Sequence, residues 1–294
     1  MKKFFAVIVL TGLTCLLEAQ IIRDTLYFDK NWKLSTAENA KYFRIITNDT
    51  TGKFLFHVND YYLGGQLQMT GLYRSINPDF KTGPFLYFYP DGKKQMMCTY
   101  SDNRLEGKYM EWFDNGQLKT EKYYKHNLLN GTEKSWSEEG LPVKKADYKN
   151  GKKNGFFYTY YDNGQPVRKD RYKNDKLMDG KCFTREGKDT TYFAYFVMPK
   201  FQGEGLGAFK NFILEQLQYP DTAMNKLEEG RVFVNFTINK LGQVVKAHVV
   251  KADKDYFNNE ALRVIKSSPK WLPGKKDGKL VDVNITVPIR FAIK

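Results

Sequence analysis

The chain has 294 residues, a length that suits two domains, and 16% of them are aromatic. Lys and Arg outnumber Asp and Glu 47 to 33, a formal charge of +14. The lysines stand singly beside turn glycines, which fits a solvated strand face that resists edge-to-edge aggregation rather than a nucleic-acid surface. Beyond the N-terminal segment no stretch is apolar enough to span a bilayer as a helix.

Met1-Lys2-Lys3 is a short positive region, and Phe4 to Leu17 is an almost unbroken apolar run. Leu17-Glu18-Ala19 ends in a small residue, so cleavage after Ala19 would leave Gln20 as the first mature residue. As a helix, the run spans roughly 21 Å against a hydrocarbon core of ~30 Å. We read residues 1–19 as a secretory signal peptide, with an uncleaved anchor as the alternative. Thr14 before Cys15 does not make a lipobox. The mature chain is expected in the periplasm, soluble or membrane-associated through partners, which argues against nucleic acid as a ligand.

Residues 20–82 are expected to form a β cap and one degenerate repeat, Gly65-Gln66-Leu67-Gln68-Met69, with an insertion at Ser75 to Lys81. From residue 83 a period of 24 sets in. Gly83, Gly107, Gly131 and Gly155 follow it, as do Gly92, Gly116, Gly140 and Gly164, and Tyr100, Tyr124, Tyr148 and Tyr172. Phe88, Trp112, Trp136 and Tyr160 form an aromatic column. Asp91-Gly92, Asn115-Gly116 and Asn163-Gly164 are turn dipeptides that tolerate positive φ. Each unit of 83–198 thus reads as one β-hairpin that buries its aromatic face only against neighbours, a solenoid. Cys182 falls in the column of Phe85, Tyr109 and Phe157, as an apolar filler, and Cys98 lies more than three repeats earlier. At roughly 10 Å per hairpin the two thiols are about 30 Å apart, too far for a disulfide.

Residues 199–294 change character. Leu206, Phe209, Phe212, Ile213 and Leu217 mark a helix face that ends at Tyr219-Pro220. Arg231 to Ile238 alternates, Asn239-Lys240-Leu241-Gly242 is a turn, and Gln243 to Val250 is a second strand. Phe257, Ala261, Val264 and Ile265 mark a second helix. Val281 to Ile293 then alternates without a break. The expected domain is α+β: a three-stranded sheet with two helices behind a mainly β repeat array. A long last strand in so small a sheet should lie at an edge, and Pro288 agrees, since proline in sheets is confined to edges and bulges. Edges recruit peptides by strand addition.

Tyr87-Phe88-Tyr89-Pro90-Asp91-Gly92, Glu111-Trp112-Phe113-Asp114-Asn115-Gly116 and Tyr160-Tyr161-Asp162-Asn163-Gly164-Gln165 resemble the MORN-like repeats of bacterial envelope and toxin–antitoxin proteins. Gln216-Leu217-Gln218-Tyr219-Pro220, Glu229-Gly230-Arg231-Val232, Asn239-Lys240-Leu241-Gly242, Trp271-Leu272-Pro273-Gly274 and Val287-Pro288-Ile289-Arg290-Phe291 resemble the TonB C-terminal domain of energy transducers. That resemblance implies a domain that takes the N-terminal peptide of a TonB-dependent outer-membrane receptor as an extra strand. Carried over, the contact falls on Gln216 and Tyr219 and on Val281, Asp282, Val283, Asn284, Ile285, Thr286 and Val287. It also implies the inner-membrane proton-motive complex as a partner. The chain departs from that family in having a short leader and no Pro-rich spacer, which puts energy coupling in doubt. The alternative is an envelope scaffold whose repeats bind lipid, peptidoglycan or another protein.

No catalytic or metal signature was found. His57, His126 and His248 have no ligand spacing, and Glu138-Glu139 and Glu228-Glu229 sit beside turn glycines. No enzyme activity, cofactor or metal is expected.

Overall fold

A computed structural model describes residues 24–48 and 55–293; the leader falls outside the described residues. The chain divides into two units, meeting between Asp189 and Thr190. The boundary lies before residue 199 because Phe196–Val197 pairs with Gly274–Lys276, and Lys200–Phe201 with Trp271–Leu272. These short strands carry no periodicity that the sequence could announce.

In the first unit, strand follows strand in one antiparallel sheet of 16 strands. The expected cap belongs to it, since Asp24–Phe28, Tyr42–Asn48 and Phe56–Tyr62 pair in order. Hairpins do not stack as separate blocks. They join edge to edge through backbone, as where Met96 faces Glu111 and Thr120 faces Ser135. The turn glycines hold left-handed backbone, φ +84° at Gly92 and +89° at Gly116, which a residue with a Cβ adopts only at a cost.

Two sequence columns pack on each other across the hairpin. Phe85–Tyr100, Tyr109–Tyr124 and Phe157–Tyr172 are edge-to-face pairs with centroids 5.0, 5.6 and 6.0 Å apart. In the third unit Glu133 stands in the aromatic place and pairs instead with Lys144 at 2.8 Å. Tyrosine hydroxyls tie successive units. Tyr62, Tyr89 and Tyr161 donate to the carbonyls of Phe88, Trp112 and Phe183 at 2.8–2.9 Å. Asn103, Asn127 and Asp175 accept from the backbone N–H of Lys81, Leu105 and Lys153. Cys98 is buried opposite Phe85. Cys182 is buried opposite Arg168, whose Nη2 donates to its Sγ at 3.4 Å. Seven strand steps separate the two cysteines, roughly 34 Å along the sheet at ~4.8 Å each.

The second unit is built on the helices α1 (Leu206–Gln216) and α2 (Asn258–Lys266) and the strands β1 (Gly230–Ile238), β2 (Val244–Ala252) and β3 (Val283–Phe291). The three strands form an antiparallel sheet in the order β2-β1-β3. Alternation buries Val232, Val234, Phe236 and Ile238 from β1, and Val283, Ile285, Ile289 and Phe291 from β3. Against them α2 buries Ala261, Val264 and Ile265, as its periodicity predicts, and α1 buries Phe209 and Ile213. A further helical turn, Asp221–Met224, follows Pro220.

Several of the sequence markers of this unit turn out to be packing devices. Gly242 has φ +79°, and a Cβ there would lie 2.0 Å from the Trp271 carbonyl oxygen. The close approach is used, since Trp271 N–H donates to Gly242 O at 2.8 Å. Trp271 Nε1 in turn donates to Ser268 Oγ at 2.8 Å. A Cβ on Gly230 would sit 2.8 Å from the Phe257 ring.

Candidate functional site

β3 pairs with β1 along its whole length, and its other side is the rim of the sheet. The strand is shorter than the alternation suggests. Lys279–Val281 folds back on Gly274–Lys276, with Val281 opposite Gly274. Asp282 lies between the two strands and accepts from the Lys240 N–H at 3.0 Å through its Oδ1. Val281 and Asp282 therefore belong to a hairpin and its exit, not to the edge strand, while Val283 to Val287 lie on it.

Which backbone groups of β3 face the rim follows from the far side of β1. Asp253 N–H donates to Arg231 O at 2.9 Å, and Arg231 N–H donates to the Asp253 carboxylate at 3.0 Å. Both backbone groups of Arg231 thus point toward the β2 side. These directions alternate along a strand. The register shifts between β1 and β2 insert their extra residues in β2, so β1 is regular. Val232, Val234 and Phe236 then point at β3, where Ile289, Val287 and Ile285 stand opposite. The internal ladder uses Val283, Ile285, Val287, Ile289 and Phe291. Asn284, Thr286, Pro288 and Arg290 turn their backbone outward. Pro288 sits where its missing N–H costs the ladder nothing. Among the described residues nothing pairs with this rim, which offers N–H groups from Asn284, Thr286 and Arg290, and carbonyls from all four.

Side chains on the solvent face brace this strand. Asn235 Nδ2 donates to Thr286 Oγ1 at 2.8 Å, and Thr237 Oγ1 donates to Asn284 Oδ1 at 2.9 Å.

Beside the rim runs a groove of about 390 Å³. One wall is α1, through Leu206, Phe209, Lys210, Ile213 and Leu214; the other is β3 from Thr286 to Arg290. Leu206 is 48% and Leu214 59% exposed. Sequence reading assigned Leu206 to the buried face and passed over Leu214, so it missed this wall. A leucine on the polar side of an amphipathic helix was the available signal. Lys210 and Arg290 give the groove positive charge.

Gln216 and Tyr219 lie beyond the groove, where α1 ends. Gln216 is exposed, and its carbonyl accepts from Arg263 Nη2 at 2.6 Å. Tyr219 donates from its hydroxyl to Glu228 O at 2.6 Å and packs edge-on against Phe257 and Phe291. Burial, then the Glu229 carboxylate, pushes its phenol pKa up. Tyr219 thus meets the last residue of β3, while Val283 to Val287 lie toward the other end of the strand. Arg263 is held by Glu260, whose Oε1 also accepts from the Gln218 N–H at 2.6 Å. Burial raises the Glu260 pKa, but these bonds outweigh it and leave the group below its ordinary 4.5.

Among the described residues no group of three or more His, Cys, Asp or Glu could hold a metal ion. No helix among them is long and apolar enough to cross a membrane.

The model of the Gram-negative bacterial TonB protein C-terminal family matches residues 215–293. That of the MORN repeat variant matches 81–102, 105–126 and 153–174. The unit in which Glu133 replaces an aromatic falls between these matches. Protein TonB of two Helicobacter pylori strains, 26695 and J99, is 33% identical over 112 residues, or 38% of this chain. The aligned part spans 37% and 38% of those proteins. Two solution structures of the H. pylori TonB C-terminal domain are 33% identical over 30% of this chain. They are covered to 91% and 80%, with TM-scores of 0.25 and 0.26. Residues 215–293 are a TonB C-terminal domain, and residues 81–102, 105–126 and 153–174 of the sheet before them are MORN repeat variants.

Proposed function

We propose that this chain is a non-enzymatic periplasmic protein. Its C-terminal domain takes the N-terminal peptide of a TonB-dependent outer-membrane receptor as a fourth strand on β3, and so contributes to transport across that membrane. The observation that carries this reading is the open rim of β3, with four outward-facing backbone positions, alongside an apolar groove walled by α1. A peptide pairing with the rim would satisfy those groups and place every second side chain toward Leu206, Ile213 and Leu214. Because β1 fixes the directions, Asn284 and Thr286 are the contact residues within Val283 to Val287, and pairing continues to Arg290. Gln216 and Tyr219 support the end of α1 and of β3. The repeat sheet serves as the spacer that a Pro-rich linker supplies elsewhere in the family.

The test is fluorescence anisotropy of labelled receptor N-terminal peptides with the mature protein. Saturable binding to at least one peptide, competed by its unlabelled form, is expected. Absence of binding across receptor peptides from the same cell overturns the reading. N-terminal sequencing is expected to begin at Gln20. Retention of residues 1–19 would instead favour an anchored energy transducer coupled to the inner-membrane proton-motive complex.

A further inference from the structure

The repeat sheet holds a second concave site, a cleft of about 310 Å³ lined by Tyr87, Tyr89, Gln95, Glu111, Trp112 and Lys119. It opens where Asp79–Phe88, Lys94–Ser101, Gly107–Trp112 and Leu118–Lys125 lie side by side. Opposite Glu111 and Trp112, a register shift leaves Lys119 as the extra, unpaired residue of the facing strand, beside the cleft.

The walls are fixed from behind. Tyr89 donates its hydroxyl to the Trp112 carbonyl at 2.8 Å, which ties one aromatic wall to the backbone of the other. The Tyr109 hydroxyl bonds one carboxylate oxygen of Glu111. Lys94 Nζ stands 5.9 Å from the Trp112 ring centroid, and Lys119 Nζ rests 5.4 Å from that of Phe113.

The repeat does not itself demand these polar groups. One period on, Glu111 is replaced by Ser135, Lys119 by Val143 and Tyr87 by Glu111, while the indole recurs as Trp136. The aromatic frame is thus the scaffold's, and the carboxylate, amide and ammonium around Trp112 are particular to this place.

Their chemistry selects a ligand. A cation meets the Lys119 ammonium group. An inorganic anion meets the Glu111 carboxylate. A wholly apolar ligand would strip water from Glu111, Gln95 and Lys119 with nothing in return. A sugar ring satisfies every group. Its C–H face lies on an aromatic ring, whose face is electron-rich, and its hydroxyls donate to Glu111, accept from Lys119 and do both with Gln95. The volume is at the small end of the roughly 300–1,000 Å³ usual for ligand sites.

We propose that this cleft binds a neutral sugar ring of a glycan.

The test is isothermal titration of the full mature protein with chitotriose, cellotriose and maltotriose. Saturable binding of at least one is expected. Trp112→Ala and Gln95→Ala should each weaken it by about tenfold or more, a loss of about 1.4 kcal/mol, while Trp136→Ala leaves it unchanged. Gln95 lies at the cleft wall, so Gln95→Ala keeps the test meaningful should the tryptophan variant fail to fold. Receptor-peptide binding by Gln95→Ala should equal that of the unsubstituted protein, which separates this site from the β3 rim. No saturable binding of any of the three sugars overturns the proposal. So does binding indifferent to Gln95→Ala, or saturation by choline or inorganic phosphate in place of the sugars.

Discussion

Thr286→Pro and Ile285→Pro, one residue apart in the edge strand, should behave in opposite ways. Thr286 turns its N–H to the rim, so proline there removes no rung of the β1–β3 ladder. It does remove the Asn235–Thr286 side-chain bond, worth about 0.5–1.5 kcal/mol in exposed surroundings. Ile285 points its N–H at Phe236 and buries its side chain. Proline there leaves a strand carbonyl unpaired, ~1–3 kcal/mol, and truncates a core side chain, ~2–5 kcal/mol. Urea titration should therefore show a modest shift for Thr286→Pro and loss of most of the domain's stability for Ile285→Pro. For binding the order reverses in meaning. Thr286→Pro removes a central rim donor and strands the peptide carbonyl that would meet it, about 1–3 kcal/mol or roughly 5- to 150-fold in Kd. Anisotropy with a receptor peptide measures this on a folded protein. Equal destabilisation by the two prolines would refute the assignment of backbone direction, and unchanged affinity in Thr286→Pro would refute use of the rim. Amide exchange gives an independent reading without substitution. The N–H groups of Ile285, Val287 and Ile289 should be protected, and those of Asn284 and Thr286 should exchange fast until peptide is added.

Leu214→Glu should change stability by no more than about 0.5 kcal/mol, because the side chain is mostly exposed, yet weaken peptide binding by placing a carboxylate on the groove wall; anisotropy and urea titration together check it. Gly242→Ala should cost about 2–4 kcal/mol, from positive φ and from the 2.0 Å approach to Trp271 O, seen as a lower Tm. Glu260→Gln should destabilise the domain at pH 7 and progressively less as the pH falls into the acid range. The folded pKa lies below 4.5, so the ionised carboxylate stabilises above that value, and the gain disappears as pH falls through the folded pKa. Urea titrations of both proteins across this range should converge at the acid end.

Much of this architecture was legible because each local signal has one cheap structural answer. Glycine columns at Asp91-Gly92 and Asn115-Gly116 demand left-handed turns, and tyrosines 24 apart demand a repeating partner. The buried face of α2 could be read directly from Phe257, Ala261, Val264 and Ile265. Three things escaped for physical reasons. Alternation does not say which strand a residue pairs with. Val281 therefore looks like part of the last strand, although it pairs with Gly274 and the ladder to β1 begins only at Val283, after Asp282, whose carboxylate accepts from the Lys240 N–H. Apolar residues do not declare their neighbours, so Leu206 reads as core while it walls a groove. Buried charge runs against every compositional expectation. Arg168 and Asp170 are fully buried and paired at 3.1 Å, and no column of the repeat announces either of them.

The way the hairpins join has a mechanical consequence. In a meander where each strand bonds to the next, a load applied between residues 24 and 190 pulls across the strands, so bonds are loaded rung by rung rather than all at once in shear. The array should therefore peel in a series of small yield steps. Single-molecule stretching would register a low saw-tooth, and one tall rupture peak would contradict it. A spacer that gives way in this manner behaves as an extensible tether, lengthening under tension before the folded domain at its end is disturbed.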